Sequence, residues 1–372
     1  MPHCNKQMIS FFLTTRCNLR CVYCYNCEER GEVKEESLPL EIACAGIDEY
    51  FANNKSRHIR FYGPGEPTQE FKLMQDILSY ARRKGGDKVT VELQTNGVFE
   101  QKVREWILKN VNILWISFDG PPDIQNKQRP LPNLKESSPF IEDNVRWLLS
   151  NKENYDLMVG ARVTMTNNNV LIQNEMIDYF ERLGIRHIWT DPQFAEVKKT
   201  PVCKDLERRR KYDIDLDLFA KRFVDAFYHA KEKNVFYGSF LTCNFDGEST
   251  INCRSCTPTP HLTTDGYVSA CDMVLNGKNA NHMDCFIYGK WDKKNKVFIY
   301  FQDKIKALQS RTVSSLKHCD ECIARLNCCG HCLGEIQNET GNLNGHNPRV
   351  CRAIQYIYKK IGRQPLYKYL HP

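Results

Sequence analysis

The sequence predicts an α/β protein built on a parallel sheet, with a cysteine-rich region appended to it. Three observations carry this. Between residue 8 and about residue 235, short β-branched or apolar runs alternate with longer stretches of helical spacing. From about residue 250 the alternation stops. The 18 cysteines lie towards the two ends, from Cys4 to Cys44 and from Cys243 to Cys351, with Cys203 alone between them.

Taken in order, the strands are Ile9–Leu13, His58–Tyr62, Val89–Gln94, Ile113–Phe118, Met158–Met165 and Ile185–Thr190. Helical spacing runs through Leu40–Ala52, Phe71–Lys84, Gln101–Lys109, Phe140–Ser150 and Leu171–Leu183, and a long helix from about Asp215 to Lys233 closes the region. Six strands with helical crossovers imply a parallel sheet with helices packed on its outer face. Functional loops in such a sheet follow the C-terminal ends of the strands.

The chain's 372 residues give room for one large domain and a smaller one. A net charge of +7, from 52 Lys and Arg against 45 Asp and Glu, is too diffuse for nucleic-acid binding. Its densest run, Glu207-Arg208-Arg209-Arg210-Lys211, reads as a solvated helix face or loop. No apolar run reaches transmembrane length, and Met1–Gln7 lacks the core of a signal peptide. A cytoplasmic protein without membrane contact is expected. In a reducing compartment, so many cysteines argue for metal or redox chemistry rather than disulfides.

Thr14-Thr15-Arg16-Cys17-Asn18-Leu19-Arg20-Cys21-Val22-Tyr23-Cys24-Tyr25 directly follows the first strand. Three thiolates spaced four and then three residues apart can ligate three irons of a cubic iron–sulfur cluster and leave the fourth open. With the aromatic Tyr23 before the third cysteine, the stretch resembles the radical S-adenosylmethionine (SAM) signature. The resemblance implies that the amino and carboxylate groups of SAM chelate the open iron of a [4Fe–4S] cluster. One electron, from a flavodoxin- or ferredoxin-type donor, then cleaves SAM to a 5′-deoxyadenosyl radical that takes hydrogen from the substrate. It also implies that the sheet curves into a partial (β/α)6 barrel.

The loops after the later strands fit that resemblance. Gly63-Pro64-Gly65-Glu66-Pro67 follows the second strand and is similar to the family's Gly-Gly-Glu-Pro motif, with Pro64 in place of the first glycine of the pair. There Glu66 would meet the SAM amino group, and Gly63 and Gly65 would let backbone approach a ligand closely. Gln94-Thr95-Asn96-Gly97 and Ser117-Phe118-Asp119-Gly120-Pro121 resemble loops that touch the SAM ribose, carboxylate or substrate, through Thr95, Asn96, Ser117 and Asp119. Arg162 has the planar fork to pair with the SAM carboxylate, or forms a surface salt bridge. Residues 191–213 break periodicity and read as a loop over the barrel mouth or a substrate-contacting segment.

Further on, Thr257-Pro258-Thr259-Pro260 opens an irregular region. Asp265-Gly266-Tyr267-Val268 marks a hairpin turn into a strand ending at Cys271, and a helix is expected around Lys304–Gln309. Cys319-x2-Cys322-x5-Cys328-x3-Cys332 follows, then Cys351. Alone, four such cysteines suit a zinc ribbon. Preceded by Cys256-x9-Gly266-x4-Cys271, they resemble the seven-cysteine SPASM domain found on radical SAM enzymes that mostly modify peptides and proteins. That resemblance implies two auxiliary [4Fe–4S] clusters, hence three clusters in all. Cys256, Cys271 and Cys332 would hold one, completed by Cys253 or Cys243 or left with an open iron. Cys319, Cys322, Cys328 and Cys351 would hold the other. The remaining cysteines, Cys4, Cys27, Cys44, Cys203, Cys285 and Cys329 among them, read as small apolar residues, with Cys203 facing substrate if any does.

The expected organisation is a radical SAM barrel at 1–235, a linker at 236–250, a SPASM domain at 251–356 and a C-terminal tail at 357–372. Asp272, next to Cys271, is a general-base candidate, as in anaerobic sulfatase-maturating enzymes, or a structural hydrogen-bonding residue. The function expected is oxidative modification of a peptide or protein side chain, such as thioether or other crosslink formation in ribosomal peptide maturation. Formylglycine formation in a sulfatase, dehydrogenation of a small alcohol, and a zinc-stabilised binding module are the alternatives. Only 16 residues precede Cys17, so the substrate is expected to be gripped by the barrel and SPASM surfaces or by a separate peptide-recognition protein.

Overall fold

The computed structural model describes residues 7–24, 35–193, 214–274, 276–278 and 280–364. Seven strands form a parallel array: β1 (Ile9–Phe12), β2 (His58–Tyr62), β3 (Thr90–Thr95), β4 (Ile113–Ser117), β5 (Met158–Met165), β6 (His187–Pro192) and β7 (Phe236–Gly238). Between them run α1 (Leu40–Asn53), α2 (Phe71–Gly85), α3 (Gln101–Asn110), a short α4 (Pro122–Gln128), α5 (Ser138–Asn151), α6 (Gln173–Leu183) and α7 (Leu216–Glu232). This is the partial (β/α)6 barrel that was expected, extended by one strand.

Each crossover helix forms because an apolar stripe recurs at helical spacing. In α6 the buried face is Gln173, Met176, Ile177, Phe180 and Leu183. Gly184 ends that helix at φ +89, where its N–H returns to the carbonyls of Glu181 and Phe180. In α7 the Asp215 side chain caps the N–H groups of Asp217 and Leu218. The helix α4 was not foreseen, because Ser117-Phe118-Asp119-Gly120-Pro121 read as a loop. Proline is tolerated in a helix's first turn, where its missing N–H would have no partner anyway.

The C-terminal half does not stand apart. β8 (His261–Leu262) pairs in parallel with β1, with Ser10 opposite His261 and Phe11 opposite Leu262. An antiparallel ribbon then continues the same sheet through β9 (Tyr267–Ser269), β10 (Ile287–Asp292) and β11 (Val297–Tyr300). The result is one sheet of eleven strands, in the order β11-β10-β9-β8-β1-β2-β3-β4-β5-β6-β7. Four helices follow: α8 (Gln302–Ser310), α9 (Arg325–Cys328), α10 (Leu333–Thr340) and α11 (Pro348–Ile361).

Two boundaries differ from the expected ones. Residues 236–250, expected as a linker, open with β7, which pairs with β6 from His187 opposite Phe236 to Trp189 opposite Gly238. Residue 356, expected to end the SPASM domain, falls inside α11. That helix buries Val350, Ala353, Ile354, Ile357 and Ile361 and packs on α7 of the barrel. The strand after the hairpin turn ends at Ser269, two residues before Cys271.

At the β1/β8 seam, α1 approaches so closely that a Cβ on Gly46 would lie 2.5 Å from Leu262 Cδ1, and Leu262 is buried. Leu262→Ala is expected to cost about 2–5 kcal/mol, as truncation of a packed leucine does, read as a lower urea midpoint. An unchanged midpoint would mean that the hairpin is not held on β1.

Candidate active site

The C-terminal ends of β1 to β6 open on a cavity of about 400 Å³. Strand alternation decides which side chains reach it. Arg60 and Tyr62 of β2, Glu92 and Gln94 of β3, and Trp115 and Ser117 of β4 line the cavity. Their neighbours Ile59, Phe61, Val91, Leu93, Leu114 and Ile116 are fully buried in the core.

Cys17, Cys21 and Cys24 lie on one part of the wall, on a loop held from several sides. Thr15 N–H donates to Glu36 O at 3.0 Å, Arg20 N–H to Pro130 O at 2.8 Å and Val22 N–H to Gln128 O at 2.9 Å. From the β2 loop, Gly65 N–H reaches Thr14 O at 2.9 Å and Glu66 N–H reaches Arg16 O at 2.7 Å. Gly65 is therefore needed for backbone-to-backbone approach. A Cβ there would stand 2.0 Å from Arg16 O, whereas one on Gly63 would find nothing nearer than 3.5 Å.

Glu66 is buried beneath this junction. Its Oε1 accepts from Thr68 N–H and from the hydroxyls of Thr68 and Thr95, and its Oε2 from Asn96 N–H at 2.7 Å. Burial raises its pKa, against the pull of those donors. The Asn96 side chain donates to Asn18 Oδ1 at 2.7 Å and lies 3.9 Å from Cys17 Sγ. Thr95 and Asn96 thus tie Glu66 to the cysteine loop.

Asp119 does not reach the cavity. Spacing puts it on the same strand face as Ser117, but β4 ends at Ser117 and the chain turns into α4, so the alternation lapses. Asp119 is fully buried and accepts from Tyr23 Oη, Gln128 Nε2 at 3.0 Å and Thr164 N–H at 2.9 Å. Arg129 donates to the same Tyr23 hydroxyl at 2.6 Å. Tyr23 lines the cavity, and burial pushes its phenol pKa well up. Arg162 lines the cavity too, with Nη2 2.9 Å from Asp191 Oδ2. Trp189 Nε1 donates to that oxygen, also at 2.9 Å.

Cys253, Cys271 and Cys332 line the same cavity as the triplet, and so do Cys243 and Asp272. Asp272 Oδ1 is 2.9 Å from Arg60 Nη2 and 3.6 Å from His261 Nε2, and its Oδ2 is 3.6 Å from Arg254 Nη2. Burial works to raise the Asp272 carboxyl, but Arg60, His261 and Arg254 overcome it and hold the group well below the usual carboxylate range. His261, buried and stacked on Phe12 at 5.7 Å, is pushed down to about 3, chiefly by burial. An anion gripped this way is a weak proton acceptor.

The remaining thiols fall into two groups by mutual influence. Cys253 acts on the pKa of Cys256, Cys271 and Cys332, which burial raises first of all. In the same way Cys322 acts on Cys319, Cys351 and Cys319 act on Cys328, and Cys319 and Cys322 act on Cys351. Cys243 instead lies 3.9 Å from Asn252 Nδ2. No described cysteine is in a disulfide. Among the described residues no three His, Cys, Asp or Glu side chains close around a single-ion position. The fit to iron–sulfur clusters therefore rests on the donor sets, three thiols at the strand ends and two tetrads beyond.

Sequence reasoning missed Arg60, Arg129, Asp191, Arg254 and His261. For Arg60 a signal existed: a charge alternating with apolar residues inside a strand, which in a barrel points inward. Tyr25, Cys4, Cys27, Cys203 and residues 194–213 lie outside the described residues. Gly65→Ala is expected to lower stability by about 1–3 kcal/mol, since backbone lies where the methyl would go. Gly63→Ala should stay within about 0.5 kcal/mol of the parent. Thermal unfolding of both variants checks the contrast.

The Radical SAM superfamily model matches residues 11–160. Radical SAM cyclopropyl synthase TigE of Paramaledivibacter caminithermalis is 21% identical over 95% of this chain and 73% of its own length. The cysteine-type anaerobic sulfatase-maturating enzyme of Clostridium novyi is 22% identical over 93% and 92%. Among solved structures, native anSMEcpe with bound AdoMet and Cp18Cys peptide superposes with a TM-score of 0.72 at 17% identity, over 95% of this chain and 96% of that one. Streptococcus suis SuiB bound to precursor peptide SuiA gives 0.63 at 14%, over 94% and 76%. Residues 11–160 match the Radical SAM superfamily, and the chain as a whole has the fold of anSMEcpe and SuiB.

Proposed function

We propose that the chain is a cytoplasmic radical SAM/SPASM maturase that oxidatively crosslinks a side chain of a ribosomally made peptide, thioether formation being the simplest case. One observation carries the reading: the triplet cysteines and Cys253, Cys271 and Cys332 line one cavity. A source of radicals and an electron acceptor would then face the same bound substrate. When bound, the clusters supply one electron for reductive cleavage of SAM and accept the electron left on the oxidised substrate. Whole-chain likeness to neighbours solved with peptides supports a peptide substrate.

The residues divide the work as follows. Cys17, Cys21 and Cys24 hold the SAM-binding cluster. Glu66 Oε2 accepts from one protein donor, Asn96 N–H, and keeps lone-pair capacity for the SAM ammonium. Arg162 has guanidinium donors beyond those engaged by Asp191 and Gln94, suited to a carboxylate. Tyr23, Gly63, Gly65, Thr95, Asn96 and Ser117 shape the SAM site. Asp119 acts one layer back, through the Tyr23 hydroxyl. Cys253, Cys256, Cys271 and Cys332 hold the first auxiliary cluster, and Cys319, Cys322, Cys328 and Cys351 the second. Asp272 serves as the counter-ion of Arg60, joining the SPASM half to the barrel.

The likeness to a sulfatase-maturating enzyme over 92% of that relative's length favours a second reading, formylglycine formation. Mass spectrometry of a cysteine-containing peptide substrate separates the two. Thioether formation removes two hydrogens and keeps the sulfur, whereas formylglycine formation from cysteine expels it.

Purified without oxygen, the protein is expected to be brown and to hold roughly twelve irons with as much sulfide. Cys17→Ala should abolish SAM cleavage and retain roughly eight irons, and a colourless zinc protein would end the reading. Asp272→Asn should keep product formation within about tenfold while losing about 1–3 kcal/mol of stability, because Arg60 is left buried beside a neutral group. Loss of all peptide product with SAM cleavage intact would instead make Asp272 the base.

A further inference from the structure

Arg311 follows α8 and is 1% exposed, the largest fully buried side chain of the described residues. Its guanidinium donates from Nη1 to Cys329 O at 2.5 Å, from Nη2 to Gly330 O at 2.9 Å and from Nε to Leu343 O at 3.2 Å. Two of those carbonyls belong to the three-residue segment between Cys328 and Cys332. These cysteines fall in different groups, so the segment is where the chain crosses from one group to the other.

That segment is strained. Cys329, Gly330 and His331 have φ of +54, +79 and +69 in succession, a left-handed run that side chains other than glycine seldom adopt. A Cβ on Gly330 would lie 2.6 Å from Arg311 Nη2 and 2.1 Å from Leu316 Cδ1. The guanidinium occupies the space the glycine leaves and fixes the turn by its carbonyls. Arg311's partners among the described residues are these three carbonyls, and no carboxylate pairs with it. Carbonyl dipoles stabilise a buried cation but leave its unit charge uncompensated, which is costly in a low-dielectric interior. Negative charge nearby has to offset it. As cluster ligands the thiolates are that charge: Cys328 and Cys332, one from each group, flank the two carbonyls that the guanidinium holds, and Cys319 packs in one buried cluster with Cys329.

We propose that Arg311 is the shared counter-cation of both SPASM thiolate groups, raising the reduction potentials of the two clusters they hold while fixing the crossing between them. This rests on the two-auxiliary-cluster reading above. A fixed positive charge stabilises the reduced, more negative state of each cluster, so its removal lowers both potentials. Arg311 reacts with nothing; it is a positioning residue.

The test is EPR-monitored redox titration of anaerobically purified holoprotein, with iron content measured alongside. In Arg311→Met both auxiliary potentials should fall by at least tenfold in the one-electron equilibrium, about 59 mV. The potential of the Cys17/Cys21/Cys24 cluster should stay put. Arg311→Lys, which keeps the charge without the fork, should retain most of the parent potentials. A fully loaded Arg311→Met with unchanged auxiliary potentials would overturn the proposal. If Arg311→Met loses iron, Arg311→Lys decides: retained iron and potentials support the counter-cation, and equal loss reduces Arg311 to a clip. Parent protein with only the triplet's cluster would remove the premise, a failure visible before any variant is made.

Discussion

The parallel pairing of β8 on β1 decides where everything else lies. β1 carries the triplet loop at its C-terminal end, and β8 leads into the ribbon that carries Cys271. Two backbone registers, Ser10 with His261 and Phe11 with Leu262, thus bring residues some 250 positions apart to one cavity. Short strands rarely hold so much by themselves, and this one is reinforced. Leu262 packs under Gly46, His261 stacks on Phe12, and Asp272 reaches back to Arg60 on β2.

Placing charges inside the barrel has an electrostatic cost, and the cavity meets it by pairing. Arg60 faces Asp272, and Arg162 faces Asp191. Ion pairs taken out of water gain little net stability, so their worth here is positional. Each links two strands or the two halves of the chain. Asp272 shows why position outweighs identity: a carboxylate next to Cys271 suggests a base until two arginines are found holding it.

The barrel was legible because its signals are local. Every crossover helix has an apolar stripe, and every strand from β1 to β6 is bounded by turn residues, so order and type follow from periodicity. The cysteine spacings stand out in the sequence because cluster ligation would restrict them. What stayed hidden was set by tertiary contact. β7 has three residues, too few for a pattern, and the β10–β11 hairpin turns through Lys293-Lys294-Asn295-Lys296 rather than a glycine pair. Asp119 was misplaced because strand alternation was carried two residues past the strand's end. Gly65 was assigned to a ligand when the group approaching it is the backbone of the chain itself.

That last point bears on how the site works. The side chains expected to touch SAM are largely occupied with one another: Thr95 and Asn96 with Glu66, Asn96 with Asn18, Tyr23 with Asp119 and Arg129. Their first task is to hold the cysteine loop in place before any ligand arrives, and a loop fixed by backbone contacts and buried hydrogen bonds need not be ordered at the cost of binding energy. A reagent site built so rigidly has little means of choosing a substrate. On the proposed reading the selective surface lies elsewhere on the cavity wall, which Arg254, Met273 and Phe240 line together with Cys253 and Cys271. On the proposed reading, the barrel end begins the reaction and the appended half, hung from β1, selects what it acts on.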